Sequence, residues 1–207
     1  MTPIGTLREE LLELLQLTDA DVVAYDAMQA TEISKAVIVS TLDLNYQERQ
    51  LDMCYYRALT AGLTLVAKTT AANPRRAADG FDYNRAVLLM AVAEKRAGLK
   101  LSVFDAYINV IGGLRLDEPG ADLPVILAVA SSYRDTPIAQ DLAAIGEVGL
   151  TGEIRSVSHM NQRLQEVARL GFKKVIIPKF GSEKLEIPSG LDVYRVRNIR
   201  EAIEVSM

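Results

Sequence analysis

Apolar positions along this chain change their period several times, and the changes mark out alternating helices and strands. Thr6-Leu7-Arg8-Glu9 has the form of a capping box, with Leu7, Leu11, Leu14 and Leu15 following at helical spacing. Residues 7–17 are therefore expected to form an amphipathic helix. Ala36–Leu42 is apolar and β-branched, which predicts a strand. Tyr46–Ala61 carries Leu51, Cys54, Tyr55 and Leu59 and reads as a second helix, stopped by Gly62. Leu63–Thr70 reads as another strand. Ala71–Asp79, with small residues, one proline and two arginines, is expected to be a loop or boundary.

From Asp82 onward the pattern is firmer. Asp82 can cap a helix running to about Ala97, with Val87, Leu88, Met90, Ala91 and Ala93 on its inner face and Gly98 as its stop. Asp105–Ile111 alternates Ala106, Ile108 and Val110 with Tyr107 and Asn109, a strand period, and Gly112-Gly113 marks a turn. Ala121–Tyr133 is apolar almost throughout and is predicted to be a buried helix, with Pro124 tolerated because it falls in the first turn. Strand signals recur around Gly149 and Gly152 within Ala143–Val157. Asn161–Leu170 reads as a helix, Lys174–Ile177 and Val193–Val196 as strands, and Asn198–Val205 as a final helix. This alternation argues an α/β fold.

Composition narrows the class. The 207 residues, 49% of them apolar, suit one domain with an extension or two small units. No apolar run reaches the roughly 20 residues that cross a bilayer, and no export-signal pattern opens the chain. Cys54 and His159 are single, so a Cys-rich zinc site is excluded. A cytoplasmic protein without metal or cofactor is the expectation. No Gly-x-x-x-x-Gly-Lys run followed by Ser or Thr occurs, so a phosphate-cradling ATPase loop is not expected in these residues.

The net charge of −4 is unevenly spread. Residues 1–66 hold four basic groups against ten acidic ones, leaving 19 basic and 17 acidic groups in the remainder. Between Lys68 and Lys100 seven basic residues face only Asp79, Asp82 and Glu94. A polyanion would prefer that stretch. Arg75, Arg76, Arg85, Lys95 and Arg96 are accordingly the candidate DNA contacts, of a kind that meets phosphates without reading bases. Arg85 and Arg96 are three helical turns apart, on roughly one face. Solvated surface charge is the plain alternative for each.

Several blocks carry a family resemblance: Pro74-Arg75-Arg76, Gly80-Phe81-Asp82-Tyr83-Asn84-Arg85, Glu94-Lys95-Arg96 and Asn109-Val110-Ile111-Gly112-Gly113. Asp117-Glu118-Pro119-Gly120-Ala121-Asp122, Gly146-Glu147-Val148-Gly149-Leu150-Thr151-Gly152-Glu153 and Ile176-Ile177-Pro178-Lys179 follow in order. From Pro74 to its end the chain resembles the Lon-type proteolytic domain in the form found at the C-terminus of the RadA (Sms) DNA repair family. The resemblance implies a Lon proteolytic-type α/β fold, related to the second domain of ribosomal protein S5. It divides the chain into an unassigned, acidic, mainly helical extension over 1–62 and a RadA-type Lon-like domain over 63–207. Full-length members carry a zinc finger and a RecA-like ATPase ahead of this domain.

Proteolytic Lon places a serine nucleophile in Gly-Pro-Ser-Ala-Gly and a lysine base farther along. By the resemblance, Gly120 stands at the serine position and Asn161 at the lysine position. Glycine has no side chain to attack a carbonyl, and asparagine is no base near neutral pH. No catalytic residue is therefore expected, and the domain is expected to act as a non-proteolytic scaffold in DNA recombination and repair. The family implies a ring-like homo-oligomer, a hexamer, with DNA as a possible further partner and no membrane. The alternatives are an ATP-independent Lon-type serine peptidase, using Ser131, Ser132, Ser156 or Ser158 in a migrated dyad, or a truncated or rearranged RadA remnant. His159 reads as structural or solvent-facing. Asp117, Glu118 and Asp122 could suggest a metal site, but a structural role is favoured, with Asp122 placed against the first turn of the helix it opens.

Overall fold

The computed structural model describes residues 37–38, 64–71, 73–110, 115–139, 141–182 and 184–207. The helices expected over 7–17 and 46–61, and the Gly112-Gly113 turn, lie outside the described residues. In chain order the elements are β1 (Val37–Ile38), β2 (Thr64–Lys68), β3 (Arg76–Asp79), α1 (Tyr83–Val92), β4 (Phe104–Asn109) and α2 (Asp122–Arg134). They continue with β5 (Leu142–Ala144), β6 (Glu147–Val148), β7 (Ile154–Arg155), α3 (Met160–Arg169), β8 (Lys174–Pro178), β9 (Asp192–Val196) and α4 (Ile199–Ser206).

A four-stranded parallel sheet runs in the order β1-β5-β8-β9. Its central strand shows why a parallel sheet needs continuous apolar sequence. Val175 and Ile177 of β8 join Ala143 in one core with Met160, Leu164 and Val167 of α3. Ile176 faces the other way, into a larger core with Leu142, Ala144 and the apolar side chains of α2. The sheet therefore separates α3 from α1, α2 and α4. A second sheet, in the order β2-β4-β3, pairs β4 antiparallel with β2 and parallel with β3. It places Ala106, Ile108 and Val66 in the larger core. β6 and β7 form a short hairpin.

Every residue of α2 from Asp122 to Ser131 is buried. A helix apolar all round belongs in an interior, and the expected helix over Ala121–Tyr133 is this one. Ser132 near its end meets the backbone of β2, its Oγ accepting the Val66 N–H at 2.9 Å. Among the described residues no helix is long and apolar enough to cross a membrane.

Two local expectations need correction. Residues 76–79 are a strand, not loop: Arg76 pairs with Ala106 and Asp79 with Asn109. Arg-Ala-Ala-Asp has no strand signature of its own. The pairing comes from β4, and the Arg76 guanidinium adds bonds to the carbonyls of Leu101, at 2.6 Å, and Phe104. The inner face of α1 is also rotated. Ala86, Leu89, Met90 and Ala93 are buried, an i, i+3, i+4, i+7 set, whereas Val87 is 38% exposed and Ala91 is exposed. The small Ala86 and Ala93 mark the side that neighbours approach closely. Asp82 caps the helix as expected, accepting the Arg85 N–H at 2.7 Å. Its last turn, Ala93–Ala97, is a π turn closed by Gly98 at φ 75°.

The helix phase has a direct test. Leu89→Ala is expected to destabilise by about 2–5 kcal/mol. Val87→Ala should stay within about 0.5 kcal/mol of the parent. Urea unfolding of both variants decides, and equal losses would contradict the assigned face.

Candidate functional site

The turn Pro119–Ala121 and the first turn of α3 carry the two positions assigned to nucleophile and base. Gly120 is buried in the short 3-10 turn before α2; its carbonyl accepts the Gly146 N–H at 3.2 Å. Its own N–H donates to Glu118 Oε1, also at 3.2 Å. The same oxygen meets the Arg163 guanidinium at 3.1 Å. Arg163 projects from α3 only two residues after Asn161, and its side chain is 1% exposed. Its Nε donates to the Ser158 carbonyl at 2.8 Å. Glu118–Arg163 thus ties together the two segments that would carry a dyad. Asn161 turns elsewhere, its Oδ1 accepting the Glu186 N–H at 3.0 Å.

On the other side of the Gly120 turn, Asp122 is buried with its carboxylate fully engaged. Arg85 Nε donates to Oδ1 at 2.9 Å, and Arg85 Nη2 meets Oδ2. The Val148 N–H reaches Oδ2 at 3.0 Å, and Arg85 Nη2 also donates to the Val148 carbonyl at 3.0 Å. This hydrogen bonding to Asp122 holds the Arg85 pKa above its ordinary value, against the opposing effect of burial. The three acidic residues of the block therefore diverge: Asp122 to Arg85, Glu118 to Arg163, and Asp117 toward Arg115 at 3.9 Å. Asp122 lies in the first turn of its own helix, as expected, and bonds in addition to α1 and β6.

Gly146, just before β6, and Gly149 and Gly152, in the turn after it, are closely approached by neighbouring side chains. A Cβ on Gly146 would lie 2.6 Å from Ile154 Cγ2, and one on Gly149 would collide with the Glu153 carboxylate. Gly152 has φ 83°, and a Cβ there would lie 2.9 Å from Arg96 Cβ. The Glu153 carboxylate is bonded by the Thr151 hydroxyl and by Arg155. The Thr151 bond is the main cause holding its pKa down to about 2. His159 precedes α3 in the left-handed region, at φ 60°. Ser131 donates its hydroxyl to the Thr136 carbonyl at 2.6 Å. Ser156 and Ser158 are exposed.

The basic candidates separate by surroundings. Arg75, Lys95 and Arg96 are exposed, whereas Arg76 and Arg85 spend their guanidiniums on internal bonds. The Arg75 backbone N–H donates to Asp105 Oδ1 at 2.6 Å, the leading cause of a lowered Asp105 pKa. Arg200 Nη2 donates to the Arg96 carbonyl at 3.1 Å.

Residues 89–207 match the family described as the Lon protease (S16) C-terminal proteolytic domain. The chain belongs to that family. Curated relatives agree with the RadA form of it. The DNA repair protein RadA of Bacillus subtilis is 50% identical over 143 residues, covering 69% of this chain and 31% of the relative. That of Listeria monocytogenes is 49% identical over 143 residues with the same coverage. That of Streptococcus pneumoniae is 46% identical over 140 residues, covering 68% of this chain and 33% of the relative. The chain thus carries a RadA-like C-terminal Lon-like domain and spans about a third of the length of these relatives.

Within this Lon-type domain, Arg163 was not anticipated from sequence. A signal was present, since it lies three residues after Met160, on the same apolar face of α3 as Leu164 and Val167. A charged residue on such a stripe calls for a buried partner.

Glu153 gives a pH test of the hairpin. Its folded pKa, about 2, lies below the ordinary 4.5. Its contribution to stability is therefore present above pH about 4.5 and is lost as pH falls toward 2. Thr151→Val should raise the Glu153 pKa, read by carboxyl NMR titration, and flatten the acid limb of stability across that window. An unchanged titration would show that the Thr151 bond is not the cause.

Proposed function

We propose that this Lon-like domain is a non-proteolytic scaffold of a RadA-like protein of DNA recombination and repair. In this reading it works in the bacterial cytoplasm, self-associates into a ring, six-fold by family expectation, and touches DNA through phosphates. The observation that carries it is the state of the two dyad positions. Gly120 offers no side chain, and its amide is satisfied by Glu118. Asn161 cannot act as a base, and its oxygen is bound to the backbone of Glu186. A peptidase built on Ser131 or Ser132 finds little support, because the Ser131 hydroxyl is committed to Thr136 and Ser132 Oγ to Val66.

For DNA contact, the exposed Arg75, Lys95 and Arg96 are the proposed set. Arg76 and Arg85 are assigned to holding the fold, consistent with their internal bonds. Phosphate contacts release counterions, so affinity falls as salt rises, with a slope near 0.9 per duplex phosphate neutralised.

Two experiments test this reading. Casein or a fluorogenic peptide should not be turned over above a heat-killed control; turnover blocked by a serine-reactive probe would refute the non-proteolytic assignment. Replacing Arg75, Lys95 and Arg96 together with alanine should lower the salt slope of DNA binding by about 2–3 and weaken all sequences alike. Identical binding by parent and triple variant at every salt concentration would remove these residues from the interface.

A further inference from the structure

The π turn that ends α1, the hairpin turn and the start of α4 meet at one place on the surface. The Ile199 N–H donates to the Gly152 carbonyl at 2.9 Å. The stem of Arg96 passes so close to Gly152 that a Cβ there would lie 2.9 Å from Arg96 Cβ. Arg200 follows Ile199, and its Nη2 donates to the Arg96 carbonyl at 3.1 Å across 104 positions of sequence. Lys95, Arg96 and Arg200 are all exposed, whereas Ala93 of the same π turn is buried.

The fold thus gathers three cations and gives them no counter-charge. Carboxylates on the same elements are directed elsewhere. Glu94 accepts the Ser102 N–H at 3.2 Å, and Glu201 accepts the Arg197 N–H at 2.8 Å and the Asn198 side-chain amide. Glu153 of the hairpin is held by Thr151 and Arg155. Among the described residues no carboxylate forms an ion pair with Lys95, Arg96 or Arg200, Glu204 one turn along α4 included. Like charges held together repel, and a polyanion that meets them relieves the repulsion while shedding its own counterions.

We propose that Arg200 contacts a DNA phosphate itself, beside Lys95 and Arg96. The inference rests on the DNA contact proposed above and adds to it a residue from the far end of the chain. A guanidinium bound to one carbonyl through a single nitrogen keeps its other donors for phosphate oxygens.

The plain alternative is that Arg200 only caps an open carbonyl at the end of α1. Salt-dependent binding of a mixed-sequence duplex separates the two, with every variant made in the full chain. Arg200→Gln should lower the salt slope by about 0.9, one phosphate contact, and weaken unrelated sequences alike. Arg200→Lys, which keeps the charge and loses the planar fork, should hold the parent slope. Adding Arg200→Gln to the Arg75, Lys95 and Arg96 alanine variant should lower the slope further, since a direct contact is lost whether or not Arg96 is present. A residue that acted only by holding Arg96 would add nothing there. An equal fall in Arg200→Lys, or no further fall in the combined variant, would overturn the proposal. A lowered slope in the alanine variant beside an unchanged one in Arg200→Gln would overturn this inference alone. No salt-dependent binding by the parent would overturn the DNA reading with it.

Discussion

The Asp122 carboxylate is the constraint on which the rest of this domain turns. It opens a helix whose next nine residues are all buried, so its charge has no water to face. A buried carboxylate is tolerable only when charge and hydrogen bonds surround it. Arg85 brings both, from α1, and the Val148 N–H adds a third donor from the hairpin. Its place at a helix N-terminus is favourable as well. One side chain thereby fixes the relative positions of α1, α2 and β6. The Gly120 turn is held immediately ahead of it.

The same logic governs the charges around the dyad positions. Glu118 and Arg163 close on each other across the Gly120 and Asn161 segments, and Asn161 bonds to the backbone of Glu186. Glu118, Arg163 and Asn161 are thus engaged within the chain. Of the basic residues Arg75, Arg76, Arg85, Lys95 and Arg96, only Arg75, Lys95 and Arg96 are exposed.

Much of the fold was legible in the sequence because α2, β4 and β8 carry strong local patterns. Val-Ile-Ile in β8 is apolar on both faces because both faces are covered. β3 was missed because Arg-Ala-Ala-Asp is made a strand by pairing with β4 and by Arg76 bonds to the Leu101 and Phe104 carbonyls, partners that are not local. The face of α1 was misread in phase: Val87 and Ala91 were placed inside, whereas Ala86 and Leu89 are the buried ones. At the site, Gly120 and Asn161 were assigned to the dyad positions on family motifs alone. The Glu118–Arg163 and Asp122–Arg85 pairs could not be named in advance, since each joins residues 37 to 45 positions apart that only the tertiary fold brings together. Arg85 illustrates the cost, for it looks like surface charge in the sequence and is a structural partner in the fold.

A double-mutant cycle on Arg85 and Asp122 tests this account most directly. Arg85→Met and Asp122→Leu, singly and together, would be unfolded in urea. Each single change strands one member of the pair, whereas the double change leaves neither charge behind, so the account predicts a coupling above about 2 kcal/mol. Losses that simply add would contradict it, and would make Asp122 a passive resident of a core held by apolar packing alone.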